Sequence, residues 1–163
     1  MKDERGIVLP LSVVFLVSFL LMMVFIFDLS RVLILRHELQ GIADSLSLAG
    51  ASATKVNPIY GHDPDLGSVV TGYHLVLDPF VAEREVQSAF NNNYQIIKKI
   101  RDRGDQVTDW SSSIMEEKKI SVTVFGEART VLMGNVFRLL GKETHDYDRI
   151  PIKVKSKSAI RQN

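Results

Sequence analysis

The sequence predicts an α+β fold: a long N-terminal helix, transmembrane and then amphipathic, followed by a small α+β domain with an antiparallel sheet. Three observations carry this. Residues 7–27 form a run of 21 without a charged side chain. Apolar residues then recur at three- and four-residue steps as far as Ala53. Further on, Ile120, Val122 and Val124, and later Ile150, Ile152 and Val154, alternate with polar neighbours as strand residues do.

The apolar run comes first. At about 1.5 Å per residue a helix of this length extends roughly 31 Å, close to the hydrocarbon thickness of a bilayer. A cleaved signal peptide has a shorter apolar core followed directly by a small-residue cleavage site. Here Asp28, Leu29, Ser30 and Arg31 follow, and the Ala-x-Ala of Ala51 and Ala53 lies far downstream. A buried core helix is the other alternative, and cores of small domains rarely contain so uniform a run. Pro10 is placed in the first turns, where a missing N–H costs little. Lys2 and Arg5 before the span balance Arg31 and Arg36 after it, so charge does not orient the chain. With only six residues before the span, the bulk of the protein is expected on the far side.

From Asp28 the helical pattern continues with a changed face. Leu29, Val32, Leu39, Ile42, Ala43, Leu46, Ala49 and Ala53 make a stripe, with Arg31, Arg36, Glu38, Gln40 and Asp44 largely off it. Asp28 and Arg31 are spaced to pair at i, i+3. Gly41 and Gly50 each weaken a helix by about 1 kcal/mol relative to Ala. The economical reading is one rod over 7–53, roughly 70 Å long. Its outer half docks either on its own domain or on partner helices.

Asn57-Pro58 and the Gly-, Asp- and Pro-rich residues 61–67 read as loop. Residues 69–77 read as a strand. Asp78-Pro79 reads as an N-cap and first helical residue. The helix it opens places Ala82, Val86, Ala89, Phe90, Ile97 and Ile100 on one face and ends before Gly104, with a possible break at the three asparagines 91–93. Residues 105–113 read as a polar stretch leading into the strand 120–125, which Gly126 and Thr130 interrupt. Residues 131–140 read as a short helix connecting to a last strand that includes Ile150, Ile152 and Val154, with Lys153, Lys155 and Lys157 on its other face. These two strands are expected to pair.

The ordered set Arg5-Gly6, apolar span, Asp28-x-x-Arg31, then Leu39-Gln40-Gly41-Ile42-Ala43-Asp44 through Ala51 resembles the Tad (tight adherence) pilus-assembly proteins of the TadE/TadG type. The C-terminal pattern is also similar: a Val-x-Val strand, a short helix ending in Leu140-Gly141, then residues 152–159 with Ser156 and Ser158. The resemblance implies a non-enzymatic, single-pass protein of the cytoplasmic (inner) membrane, acting in assembly of Flp-type pili or related secretion machinery. It implies a short cytoplasmic tail over 1–6, a transmembrane helix over 7–27, an amphipathic extension over 28–53 and an extracytoplasmic α+β domain over 54–163. Its partners would be membrane lipid and other pilus-assembly or pilin-like subunits, met through the N-terminal helix. TadE-like members resemble type IV prepilins, cleaved after a Gly with Glu at the fifth mature position. Carried over, cleavage falls after Gly6 and the Glu position is Leu11, which favours the uncleaved, TadG-like form. A processed minor-pilin-like subunit is the alternative.

The remaining residues offer little chemistry. The chain has 163 residues, a net charge of +1, 45% hydrophobic residues and no cysteine, which excludes disulfides, thiol catalysis and Cys-based metal sites. No nucleic acid partner is expected. His62-Asp63-Pro64-Asp65 and His145-Asp146-Tyr147-Asp148 look alike, and together they have donors for a divalent metal. Asp, Pro and His are also common in solvated turns, so a membrane-anchored metal enzyme is the weakest alternative. His37-Glu38 opens a zinc-protease pattern whose fifth position is Gly41, and residues 50–54 fail the nucleophile-elbow pattern at Thr54. No catalytic, cofactor-binding or metal residue is assigned. Lys98, Lys99, Arg101 and Arg103 suit a helix C-terminus. Arg149, Lys153, Lys155, Lys157 and Arg161 read as an edge-guarding basic face, with contact to anionic lipid, wall polymer or DNA as the functional alternative.

Overall fold

In the computed structural model, which describes residues 5–115, 118–130, 132, 134 and 149–160, one helix organises the chain. Helix α1 (Arg5–Ser52) runs 48 residues without a break. No proline follows Pro10 until Pro58, so nothing interrupts the backbone ladder where the apolar run ends. Because α1 begins at Arg5, Pro10 falls inside the helix and not among the first four free N–H positions. It removes one ladder bond in a stretch that is otherwise uniformly apolar.

The rod expected from the sequence is therefore present, and its two halves differ in environment. The apolar window has a mean hydropathy of 2.7 and none of it is buried inside the protein. Phe15 and Phe27, for example, are 74% and 66% exposed. In the outer half Leu35, Leu39, Ile42, Ala43 and Leu46 are fully buried. The expected stripe differs at two residues: Leu29, placed on it, is exposed, and Leu35, left off it, is fully buried between Val32 and Leu39.

The outer half of α1 packs on the chain's own domain, which decides between the two docking expectations. Its platform is a three-stranded antiparallel sheet in the order β3 (Gln106–Met115), β4 (Lys119–Arg129), β5 (Arg149–Ala159). Ile120, Val122, Val124 and Ala128 of β4, with Ile152 and Val154 of β5, face α1 and close the core. The predicted pairing of the last two strands is present, Val124 lying opposite Val154. Helix α2 (Pro79–Asn92) adds Ala82 and Val86, and α3 (Tyr94–Asp102) adds Ile100. Asp78 caps α2 as expected, its Oδ1 accepting from the Phe80 and Val81 N–H groups at 3.1 and 3.3 Å. The break among the asparagines falls at Asn93.

Three local expectations are corrected. The region read as loop is β1 (Thr54–Asp63), paired antiparallel with β2 (Gly67–Leu77) as a two-stranded hairpin. Both strands are edges, so Pro58 forfeits only an outward N–H. At the tip Asp63 Oδ1 accepts from the Asp65 and Leu66 N–H groups, and Gly67 supplies a left-handed φ of 76°. The polar stretch after Asp105 is strand β3. Its serines fall partly on the sheet's open face, which masks the inward Trp110, whose ring lies 5.9 Å from Phe90. Gly126 does not interrupt β4. A Cβ there would sit 2.7 Å from Leu39 Cδ1 and 2.9 Å from the Gln106 carbonyl oxygen, so the glycine is the notch that lets α1 approach. The short helix expected at 131–140 lies, apart from Leu132 and Gly134, outside the described residues.

Candidate functional site

Two features stand out where α1 leaves its apolar half and where the domain begins to project. The first is a charge cluster. Arg31, one turn beyond Phe27, turns inward because the sheet side of α1 becomes buried at Asp28, which is 5% exposed. The Arg31 Nη2 donates to Asp105 Oδ1 at 3.2 Å and to the Arg103 carbonyl at 2.9 Å. Asp105 is 3% exposed and also accepts the Arg129 N–H at 2.9 Å. Two turns along α1, Glu38 forms a two-point pair with Arg103, one contact being Nη1 to Oε1 at 3.0 Å. The α3–β3 turn is thus tied to α1 by two arginines and two carboxylates. Gly104, with φ of 86°, makes the turn that brings Arg103 and Asp105 to the helix.

Higher on α1, Ser47 is fully buried and its hydroxyl meets Ser156 Oγ at 3.0 Å and Ser158 Oγ at 2.8 Å. Its O–H reaches the Asp44 carbonyl at 3.0 Å as well. This polar contact fixes the axial register between α1 and β5.

The second feature is the β1–β2 hairpin, a two-stranded sheet of its own. Opposed residues share a face, and the pairs Val56–Leu75, Pro58–Tyr73 and Tyr60–Val70 put apolar groups together. Val56, Tyr60 and Tyr73 are 58%, 64% and 70% exposed. Isolated hairpins are marginal in water, and this one is tied to the body by the Asp78 N–H to Ala53 carbonyl bond at 2.9 Å.

The residues weighed for metal chemistry are placed as follows. Asp63 is engaged in the hairpin turn, and Glu38 is held by Arg103. His145, Asp146 and Asp148 lie outside the described residues. Among the described residues no group of three or more His, Asp or Glu is gathered for a metal ion. Lys153, Lys155 and Lys157 are exposed on β5, Lys153 lying 5.3 Å from the Phe125 ring centroid. Asp105 was missed as a cluster residue. It lies 74 positions from Arg31, and no local spacing signals such a contact.

Among the described residues one apolar helix is long enough to cross a bilayer, and its continuity with the core helix of a small α+β domain fits a membrane-anchored protein. The family model for Tad, Flp pilus-assembly TadE/G-like proteins, matches residues 6–53. That segment is α1 almost end to end, and it is the family the sequence resembles. The match supports a role related to pilus assembly. No curated protein and no solved structure matches the chain.

Proposed function

We propose that this chain is an uncleaved, non-enzymatic component of a Tad/Flp-type pilus-assembly or related secretion apparatus. It sits in the cytoplasmic (inner) membrane with residues 1–6 inside and residues 54–163 outside the cytoplasm. The span 7–27 anchors it and residues 28–53 carry the domain. One observation supports this most directly: the TadE/G-like match covers a helix whose first half has no protein cover and whose second half is the spine of the domain.

The division of labour follows from burial. The outer half of α1 is occupied by its own sheet, so helix packing with pilin-like subunits falls to the lipid-embedded half, where dispersion and interhelical contacts drive association. Domain contacts fall to the hairpin face of Val56, Tyr60 and Tyr73, because exposed aromatics in a group suit partner surfaces.

The test is in cells that carry the chain. Photo-crosslinking residues placed at Phe15 and at Tyr73 are expected to capture membrane subunits of a pilus-assembly apparatus, and deletion of the gene is expected to abolish surface pili. Unaltered pili in the deletion strain would remove the proposal. The minor-pilin alternative is cleavage after Gly6, the position onto which the resemblance carries the prepilin site. Mass spectrometry separates the two, since a mature chain beginning at Ile7 means processing.

A further inference from the structure

Five arginines lie at the end of the domain nearest the apolar half of α1. Arg31 and Arg103 are paired with carboxylates of the α1 contact, and Arg149 reaches Glu127 at 3.4 Å. Arg101 from α3, Arg129 from the end of β4 and Arg149 from the start of β5 line one cavity of about 340 Å³ with Gly104 and Asp105 at its base. Arg129 and Arg149 are register partners on adjacent strands. The Arg129 side chain lies across the Gly104 turn, its Cδ 3.4 Å from where a Cβ would be.

We infer that this cavity is a binding site for the phosphate of an anionic membrane lipid headgroup. The inference rests on the membrane-anchoring reading above and deepens it. Depth is the first argument. Arg31 lies four residues beyond Phe27, so about 6 Å along the helix. A headgroup layer is roughly 5–7 Å thick on each side of the hydrocarbon. Asp105 touches both Arg31 and the Arg129 N–H, which holds the cavity at that same depth.

Charge is the second. The Asp105 carboxylate is already engaged by Arg31, and Glu38 by Arg103. Glu127 is shared between Gln106 at 2.8 Å and Arg149 at 3.4 Å. No ion pair ties Arg101 or Arg129 among the described residues. Guanidinium groups present planar forks that suit phosphate oxygens. A free phosphate has no use for that depth.

The experiment uses the full chain in phosphatidylcholine vesicles with roughly a third of the lipid replaced by phosphatidylglycerol, a content that gives an anionic surface. Flotation establishes embedding. Spin-labelled phosphatidylglycerol and phosphatidylcholine then report relative association. The wild-type chain should prefer phosphatidylglycerol by at least about fivefold, the worth of one arginine at an anionic surface. The triple variant R101Q/R129Q/R149Q should float equally and lose that preference. Should the triple variant misfold, as read by Trp110 emission, Arg101→Gln alone serves, because Arg101 is exposed on α3 and should reduce the preference measurably. A chain that floats without preference, or variants that keep it, would overturn the inference alone. A chain that does not float removes the anchoring reading and this one together. Competition by inorganic phosphate as strong as that by phosphatidylglycerol would overturn the lipid assignment.

Discussion

Arg31 on the helix and Asp105 on the α3–β3 turn form a part-buried ion pair, 3.2 Å from Nη2 to Oδ1, across 74 residues of sequence. It locks the domain to the helix where the helix leaves its apolar half. Asp105 is the more buried partner and serves Arg31, the Arg129 N–H and, at 3.9 Å, the Arg103 Nε, so its removal strands a cationic Arg31. Asp105→Ala is expected to destabilise the domain by about 3 kcal/mol, the usual cost of breaking such a pair from one side. Asp105→Asn retains an acceptor for the Arg129 N–H and should cost less. Denaturant unfolding of the detergent-solubilised chain, followed by Trp110 fluorescence, measures both; equal costs would show that the charge does not matter.

Three glycines make a graded series. Gly41 has nothing within 4 Å of a Cβ position, so Gly41→Ala should gain close to the helix-propensity difference of about 1 kcal/mol. A Cβ at Gly50 meets Ile120 Cδ1 at 2.4 Å and Val86 Cγ2 at 2.9 Å, so that gain is offset by overpacking. Gly126→Ala meets a backbone carbonyl as well as Leu39 and should lose about 1–3 kcal/mol. The same unfolding measurement ranks them, and stabilisation by Gly126→Ala would refute the notch.

Ser47→Ala removes a buried hydroxyl that has contacts to Ser156 and Ser158. The expected loss is about 1 kcal/mol, and the triple change to Ala at all three positions should be no worse than the single, because no buried group is then left unpaired. A double-mutant cycle reads the coupling directly.

The hairpin face should behave as a contact surface and not as a core. Tyr60→Lys with Tyr73→Lys is expected to change stability by no more than about 0.5 kcal/mol, as at other exposed positions. The same pair should abolish crosslinks made from neighbouring hairpin positions. Retained crosslinks would assign the contact to another surface.

What could be read from the sequence was what depends on neighbours along the chain. The unbroken apolar and then striped helix, the Asp78–Pro79 start of α2, the break at Asn93 and the alternation that pairs β4 with β5 are all local patterns. The hairpin was hidden because Pro58, Gly61 and Gly67 are loop signals, yet edge strands and a left-handed turn accommodate them. Strand β3 was hidden because one sheet face is open to water and admits serine and aspartate. The charge cluster was hidden for a different reason: Arg31, Glu38, Arg103 and Asp105 are drawn together only by the tertiary approach of a turn to a helix. The resemblance covered the anchor helix, where the family match falls, and a C-terminal pattern that the match does not reach, and gave no hint of the arginine-lined cavity.

The continuity of α1 has a consequence for whatever meets this protein. From Phe27 to Ser52 the helix rises roughly 38 Å, and the hairpin begins at the next turn of chain. With 7–27 as the span, as proposed above, the helix is a ruler that sets the standoff at which the root of the hairpin is presented above the bilayer. A partner too short to cover that gap cannot engage it. Adding or deleting residues in 28–34 would change both the standoff and the compass bearing of the hairpin, by about 100° for each residue.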